Sequence, residues 1–221
     1  MLAKDLFSDV IPSLKTSDTG LDALNWMEVF RVSHLPIVNN KMFLGLITDL
    51  DIYDLNKADE PLGNHTISLM RPYVFQHQHI YEVVALASRL KLTVVPVLNE
   101  DKEYLGVISQ SDLLHRMADI IAAHTPGGII ELELGRRDYA LSEIARIVED
   151  SDAKILSLYV MENNANNSLH VSIKVNRSDL RPVLQGFDRY GYKVNASFSD
   201  QDYDDEEATK NYDSLMMFLN V

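Results

Sequence analysis

Two short motifs in this chain each place a hydroxyl side chain three residues before a carboxylate. Thr48 precedes Asp51 in the first motif, and Ser109 precedes Asp112 in the second. A carboxylate can accept hydrogen bonds from neighbouring sugar hydroxyls, and the start of a helix offers free N–H groups to an anion. The same spacing is that of a capping box, in which both side chains satisfy backbone N–H groups of the first helical turn. Each motif alone favours the cap, whereas their repetition favours a pair of binding sites.

The two motifs belong to an internal duplication. An apolar-Pro-apolar segment at 35–38 and a Gly-apolar-apolar segment at 45–51 match segments at 95–98 and 106–112. The prolines of the two copies lie 60 residues apart and the glycines 61, because the second polar turn carries one more residue. A repeated unit of this size rarely buries its apolar face alone. We therefore expect the two copies, at about residues 1–58 and 62–122, to pack together as one domain.

Both copies show the same order of elements: helix, hairpin, helix. In the first copy, Ser17 or Asp18 is the predicted cap of the first helix. A strand ending at Val38, a return strand from about Met42 to Ile47 and a helix from about Asp49 follow. The second copy repeats this order with a helix over 81–91, strands ending at 98 and spanning 104–108, and a helix over 111–123.

Composition excludes several classes of function. The 221 residues carry 33 acidic and 20 basic side chains, a net charge of −13, which argues against nucleic-acid and anionic-membrane partners. The absence of cysteine excludes disulfides, thiolate metal sites and a cysteine nucleophile. The sequence shows no signal peptide and no apolar run long enough to span a membrane, so we expect a soluble cytoplasmic protein.

The chain changes character after a helix-breaking linker at residues 123–128, where a proline precedes two glycines. Alternating and helical apolar patterns then predict a domain over 129–198 with the order βαββαβ, a ferredoxin-like arrangement. Its predicted strands lie near 130–134, 155–161, 169–175 and 192–198, and its helices at about 141–148 and after Ser178, the predicted cap. The overall class is therefore α/β (α+β).

Both prolines, both glycines and both hydroxyl/Asp pairs make the first 120 residues or so resemble a tandem CBS domain pair. The resemblance implies that adenosine-containing ligands such as AMP, ATP or S-adenosylmethionine bind in the cleft between the repeats. It also implies that the two aspartates hold the ribose diol, with Thr48 and Ser109 near the phosphate or the ribose. The remaining expected contacts are strand residues beside the base and two flanking side chains: His34, Pro36, Ile37, Pro96, Val97 and Arg116.

The two expected clefts differ in charge. Arg116 and His115 follow the second motif, which favours a nucleotide phosphate there. Asp49 and Asp51 lie close together in the first motif, which favours an uncharged or cationic adenosine derivative, or an empty site. The acidic balance of the chain favours AMP or S-adenosylmethionine over ATP without magnesium.

The domain at 129–198 resembles the ACT domain, a regulatory module that often binds amino acids and pairs its sheet with that of another subunit. ACT sequences commonly place glycine before the first helix, where an effector approaches the backbone, but Tyr139 occupies this position here. We therefore interpret the domain first as a dimerising or signal-relaying module, and the binding of an amino acid is the alternative. Two CBS-like repeats followed by such a domain are similar to the acetoin-utilisation accessory proteins of bacteria.

These features together predict a non-catalytic regulatory homodimer that acts on an unknown protein target and requires no cofactor or metal. The alternative is a scaffold with empty clefts. An enzyme acting on acetoin or a nucleotide is less favoured, because the sequence has no Gly-rich phosphate loop, nucleophile elbow or acid/base dyad. His77 and His79 lack further ligands at metal-binding spacing, so we interpret them as solvated.

The C-terminal segment, residues 199–221, combines charge with apolar side chains. An acidic run at 200–207 is followed by apolar residues at helix-like spacing: Tyr212, Leu215, Met216, Phe218 and Leu219. We expect this terminus to dock on the CBS-like pair or on a partner subunit.

Overall fold

The computed structural model describes residues 1–55, 57–163 and 167–199. The chain divides into two compact units, Met1–Arg116 and a second unit that begins at Met117. No helix within the described residues is long and apolar enough to cross a membrane. The predicted docking of the C-terminal segment lies outside the described residues.

The first unit contains two copies of one helix–hairpin–helix unit. The first copy consists of α1 (Gly20–Phe30), β1 (His34–Asn39), β2 (Met42–Thr48) and α2 (Asp49–Tyr53). The second copy consists of β3 (Val74–Phe75), α3 (Ile80–Leu90), β4 (Val94–Leu98), β5 (Tyr104–Ser109) and α4 (Gln110–Ile120). The internal duplication predicted from the sequence is therefore present in the fold.

Two helix ends differ from the prediction. The N-cap of α1 is Thr19, not Ser17 or Asp18, because the Thr19 hydroxyl oxygen accepts a hydrogen bond from the Asp22 N–H at 3.1 Å. The Asp22 carboxylate accepts in return from the Thr19 N–H at 3.0 Å, which completes a capping box. Helix α4 ends at Ile120, earlier than expected, and Ala122 has a φ of +55°, a left-handed conformation that a helix cannot continue through.

The hairpin turns explain why the second copy is one residue longer. Asn40 and Lys41 both have positive φ, as in the two-residue hairpin turn that matches the twist of antiparallel strands. The second turn contains three residues between Asn99 and Glu103, of which Lys102 has a φ of +62°. A type I turn followed by a left-handed residue is the usual three-residue connection. The extra residue is thus absorbed within the turn, and the register of the strands is unchanged.

Each copy receives an extended segment from outside its own hairpin. Ser8, near the N-terminus, pairs with Val107 in β5, and its N–H and C=O form hydrogen bonds of 3.0 and 3.1 Å with Val107. Met70, just before β3, pairs in the same way with Leu46 in β2. The residues before α1 therefore support the hairpin of the second copy, and the residues before β3 support the hairpin of the first.

Pro36 fits within β1 because of the direction of its nitrogen. The Pro36 carbonyl and the Val38 N–H both bond to Leu14, at 2.8 and 2.7 Å. The Pro36 nitrogen therefore faces the same side, away from β2, so the missing N–H removes nothing from the β1–β2 ladder. The parallel pairing of Val74 with Val97 repeats this arrangement beside Pro96 in the second copy.

The second unit is a four-stranded antiparallel sheet with two helices. Its elements are β6 (Gly128–Gly135), α5 (Leu141–Asp150), β7 (Ile155–Asn163), β8 (Ser168–Val175), α6 (Arg181–Arg189) and β9 (Lys193–Phe198). The strand order is β7-β8-β6-β9. The predicted βαββαβ, ACT-like order is confirmed. Ser178 is not the cap of the second helix, because Leu180 is the N-cap residue, and Pro182 in the first turn needs no hydrogen-bond acceptor for its nitrogen.

One face of this sheet packs on both helices and forms the core of the second unit. Alternate residues of β6 and β8, including Ile130, Leu132 and Ile173, are fully buried against Ile147 and Phe187 of the helices. Tyr139, which stands where ACT sequences commonly have glycine, is partly buried and packs against the same core.

We predict that Gly106→Ala lowers the free energy of unfolding by about 1–3 kcal/mol. A Cβ at this position would lie 2.6 Å from the Ser8 carbonyl oxygen and 2.9 Å from Phe7 Cδ2. Ser8 cannot move away freely, because both of its backbone groups bond to Val107. Urea unfolding followed by circular dichroism measures the loss. Ser88→Ala, on the exposed side of α3, is the control, and equal midpoints for the two variants would contradict the predicted close approach.

Candidate functional site

The first helix start is a complete capping box. The Asp51 carboxylate accepts hydrogen bonds at Oδ2 from the Thr48 N–H at 2.8 Å and from the Thr48 hydroxyl at 2.7 Å. The Asp51 N–H donates to Thr48 Oγ1 at 3.0 Å. Both residues are half-buried, and they lie where β2 ends and α2 begins. We call the surface beside Thr48 and Asp51 the first cleft.

The second helix start repeats two of these three hydrogen bonds. The Ser109 hydroxyl donates to Asp112 Oδ2 at 2.7 Å, and the Asp112 N–H donates to Ser109 Oγ at 3.0 Å. Ser109 is 7% exposed, whereas Asp112 is exposed to solvent. We call the surface beside these two residues the second cleft. The capping function that the spacing predicted is therefore present in both copies.

Capping leaves part of each carboxylate for other partners. Both aspartates use Oδ2 for the helix start, and within the described residues no hydrogen bond reaches Oδ1 of either one. A carboxylate has about four acceptor positions, so a capped aspartate still has acceptor capacity at Oδ1. The two hydroxyls of a ribose are donors of the kind that this oxygen binds.

His34 lies next to the first cleft and contacts the second copy. Its Cα is paired with that of Thr48 across the β1–β2 ladder. Its Nδ1 is 3.0 Å from Thr93 Oγ1 and 3.4 Å from the Thr93 N–H nitrogen. Partial burial lowers the pKa of His34 below its usual 6.5, and the negative charges of Asp49 and Asp51 oppose that shift. His34 is therefore both a neighbour of the first cleft and a link between the copies.

The predicted strand contacts divide between the two faces of their sheets. Side chains alternate along a strand, so Pro36 shares a face with His34 and Thr48, and Pro96 shares a face with Ser109. Ile37 and Val97 point to the opposite faces, where they are 2% and 0% exposed. The prolines are thus placed on the faces that carry the motif hydroxyls, and the two aliphatic residues support the strands from behind.

Arg116 lies on α4, one turn after Asp112, and its side chain is exposed. Residues four apart on a helix share a face. The structure therefore brings Arg116 to the same side of α4 as the carboxylate of the second cleft, which is the relation expected of a phosphate contact.

The sequence analysis did not select Thr93. Its hydroxyl oxygen accepts a hydrogen bond from the Ser33 N–H at 3.0 Å and contacts His34, so it joins the copies where β1 and β4 begin. The signal that could have found it is the duplication itself, because Ser33 and Thr93 are equivalent polar residues 60 positions apart.

The histidines at 77 and 79 have structural roles. His77 pairs with Glu100 at 2.6 Å on the surface, and His79 accepts a hydrogen bond from the Tyr81 N–H at the start of α3. No group of three or more histidine, aspartate or glutamate side chains in the described part of the chain is arranged to hold a metal ion.

Residues 3–57 and 68–119 match the CBS domain family. The N-terminal half of this chain is therefore a tandem CBS domain pair, and the fold places an ACT-like sheet domain after it.

Several solved structures are similar to part of this chain. A CBS domain pair/ACT domain protein from Thermotoga maritima is 22% identical, covers 53% of this chain and 96% of its own, and gives a TM-score of 0.48. AcuB from Vibrio cholerae, named for acetoin utilization, is 21% identical, with 56% and 95% coverage and a TM-score of 0.49. CBSX2, solved in complex with AMP, is 17% identical, with 54% and 97% coverage and a TM-score of 0.46.

We predict that Thr48→Ala lowers the free energy of unfolding by about 0.5–2 kcal/mol, because α2 loses its N-cap. Thr48→Ser keeps the hydroxyl that both Asp51 contacts require, so it is expected to retain most of this energy. Urea unfolding without any ligand compares the two variants. If alanine and serine were equally stable, the hydrogen bonds of the capping box would contribute nothing to the fold.

Proposed function

We propose that this chain is a non-catalytic regulatory protein that binds an adenosine-containing ligand in the clefts of its CBS pair. AMP and S-adenosylmethionine are the preferred candidates, and ATP is the third. The pair would span residues 1–122 and the ACT-like domain residues 129–198, joined by a linker at 123–128. The observation that carries the proposal is the duplicated helix start, in which a fixed aspartate keeps one carboxylate oxygen for a ligand.

The proposed contacts follow from the chemistry of the two clefts. Asp51 and Asp112 accept the ribose hydroxyls, and Thr48 and Ser109 lie at the helix starts, whose N–H groups and dipoles favour a phosphate. The prolines of β1 and β4 border the base, and two further side chains complete the set: His34 in the first cleft and Arg116 in the second.

Regulation would proceed by a shift of populations. A ligand changes the arrangement of two packed repeats only if it binds one arrangement more tightly than the other. The ACT-like domain would then relay this change to a second subunit or to a target protein, with the whole protein acting in the cytoplasm.

A ligand panel tests the binding proposal. An adenosine compound at about one hundred times its dissociation constant should raise the free energy of unfolding by about 2.7 kcal/mol. Asp112→Asn should reduce this shift more than Asp51→Asn, since the more exposed carboxylate shares its helix face with Arg116. Asparagine keeps a carbonyl oxygen for the cap, so the variants isolate the charge.

Asp101→Asn, in the exposed turn after β4, is the control and should leave the ligand shift unchanged. No shift with any adenosine compound would favour a scaffold with empty clefts. A larger loss with Asp51→Asn would assign the ligand to the first cleft. Mass spectrometry of small molecules that copurify with the full chain would identify the compound directly.

The proposed homodimer uses the outer edge of the second unit's sheet. Among the described strands β7 lies at an edge of the sheet, and it exposes three consecutive large apolar side chains: Tyr159 at 45%, Val160 at 39% and Met161 at 54%. An unpaired apolar edge is a template for another strand, and pairing with a second copy would cover both its apolar side chains and its backbone groups.

We predict that Val160→Lys shifts the protein from dimer to monomer, because it places a charge in the proposed edge-to-edge contact. Ser197→Lys, on the opposite edge strand β9, is the matched control and should leave the dimer intact. Sedimentation equilibrium across a range of protein concentrations measures the molar mass. Monomeric wild-type protein, or dissociation by Ser197→Lys alone, would rule out the β7 edge.

A further inference from the structure

A small hydrogen-bond network joins the two CBS repeats at the point where β1 and β4 begin. The Ser33 N–H donates to Thr93 Oγ1 at 3.0 Å. Thr93 Oγ1 lies 3.0 Å from His34 Nδ1, and the Thr93 nitrogen lies 3.4 Å from the same imidazole nitrogen. One imidazole from the first repeat thus faces both polar groups of a single threonine in the second.

The donors of this network determine where the imidazole proton sits. The Thr93 amide can only donate, and it faces His34 Nδ1. The Thr93 hydroxyl already accepts from Ser33, so its own hydrogen is available to the same nitrogen. Nδ1 is therefore the acceptor, and the neutral ring carries its hydrogen on Nε2.

We propose that His34 and Thr93 form an acid-sensitive latch between the two CBS repeats, closed while the imidazole is neutral and released when Nδ1 takes up a proton. A proton on Nδ1 would point at the Thr93 N–H, so that two donors would face each other. The hydroxyl can rotate to accept the new proton, but the amide cannot. Protonation therefore removes the Thr93 amide bond and weakens the contact.

The groups around His34 set the pH at which the latch opens. Asp49 and Asp51 of α2 are the charged side chains that act on His34 in the described residues, and both favour the protonated ring. From the second repeat, the residue that faces the ring is Thr93, just before β4, and it is uncharged. The loss of water around the half-buried ring is the larger effect, and it holds the pKa below 6.5.

The lowered pKa of His34 determines how the stability of the folded protein depends on pH. The folded protein holds the ring in its neutral form more strongly than the unfolded chain does. The stabilisation is therefore fully present above pH 6.5 and is lost as the pH falls below that value and through the folded pKa. The second repeat has Val94 at the position equivalent to His34, so the latch occurs once in the pair.

This inference deepens the proposed function, because His34 is paired with Thr48 of the first cleft, but the latch itself requires no ligand. Its test is therefore made on the full chain without ligand. Nitrogen-15 NMR of the His34 ring at about pH 7.5 should show the Nε2–H tautomer. Native-state hydrogen exchange then reports the protection factors of the Ser33 and Thr93 amides as the pH is lowered to about 5.

In the wild-type protein the two protection factors should fall by up to about tenfold for each pH unit between 6.5 and the folded pKa of His34, and they should level off below that pKa. His34→Asn is the matched variant, because its amide oxygen takes the place of Nδ1 as an acceptor and does not titrate. It should retain protection at both pH values. His77→Asn, at an exposed site of the second repeat, is the control and should behave as the wild type does.

Three outcomes would overturn the latch. One is a ring that carries its hydrogen on Nδ1 at neutral pH. Another is wild-type protection that stays constant down to about pH 5. The third is an equal loss of protection in wild type and His34→Asn, which would place the acid response in another group. None of these outcomes bears on the adenosine ligand, and a failed ligand panel would leave the latch intact.

Discussion

The exchange of extended segments between the two CBS repeats is the contact on which the rest of the N-terminal unit depends. Ser8 of the first repeat pairs with Val107 of the second, and Met70 of the second repeat pairs with Leu46 of the first. A single repeat would leave that strand edge unpaired, and its N–H and C=O groups would lack partners. Because each copy receives its edge from outside its own hairpin, the relation between the two hairpins is fixed, and the clefts are a property of the pair.

The helix starts show why a structural cap and a ligand contact are compatible at one residue. The cap bonds at Oδ2 hold Asp51 and Asp112 in a single side-chain conformation. A ligand that binds at Oδ1 then meets a carboxylate that is already ordered, and no further side-chain entropy is lost on binding. Thr48 and Ser109, at the ends of their strands, help to order the carboxylates. Their hydroxyls donate to the carboxylates and accept hydrogen bonds from the aspartate N–H groups in the first turn of each helix. In the proposed binding mode, the cap would therefore order the carboxylate before a ligand arrives.

The repeated residues were sufficient to predict most of the fold, whereas individual contacts between residues distant in the sequence could not be predicted. The spacing of prolines, glycines and hydroxyl–acid pairs was sufficient for the hairpins and both helix starts, since these features are local. The cap of α1 was also within reach, because Thr19 is the one of three adjacent candidates with an acid, Asp22, three residues later. The prediction that Ser178 caps the second helix was wrong, because the presence of a capping residue type does not determine where a helix begins. The contact between His34 and Thr93 joins residues 59 apart, and no local pattern encodes it.

The two clefts are not equivalent, although duplication created both. The first combines Asp49 and Asp51 at one helix start, whereas the second has the neutral Gln110 at the position of Asp49. Two like unit charges about 4 Å apart repel each other by about 1 kcal/mol in water and about 4 kcal/mol near a protein surface. The repulsion between a second carboxylate and a phosphate at that distance is enough to offset the attraction of a short helix for the phosphate. The first cleft therefore disfavours an anion more than the second does. The first cleft also adjoins His34, so the residues that select the charge of a ligand lie beside the contact between the repeats. The second cleft has one carboxylate, Asp112, and one arginine, Arg116.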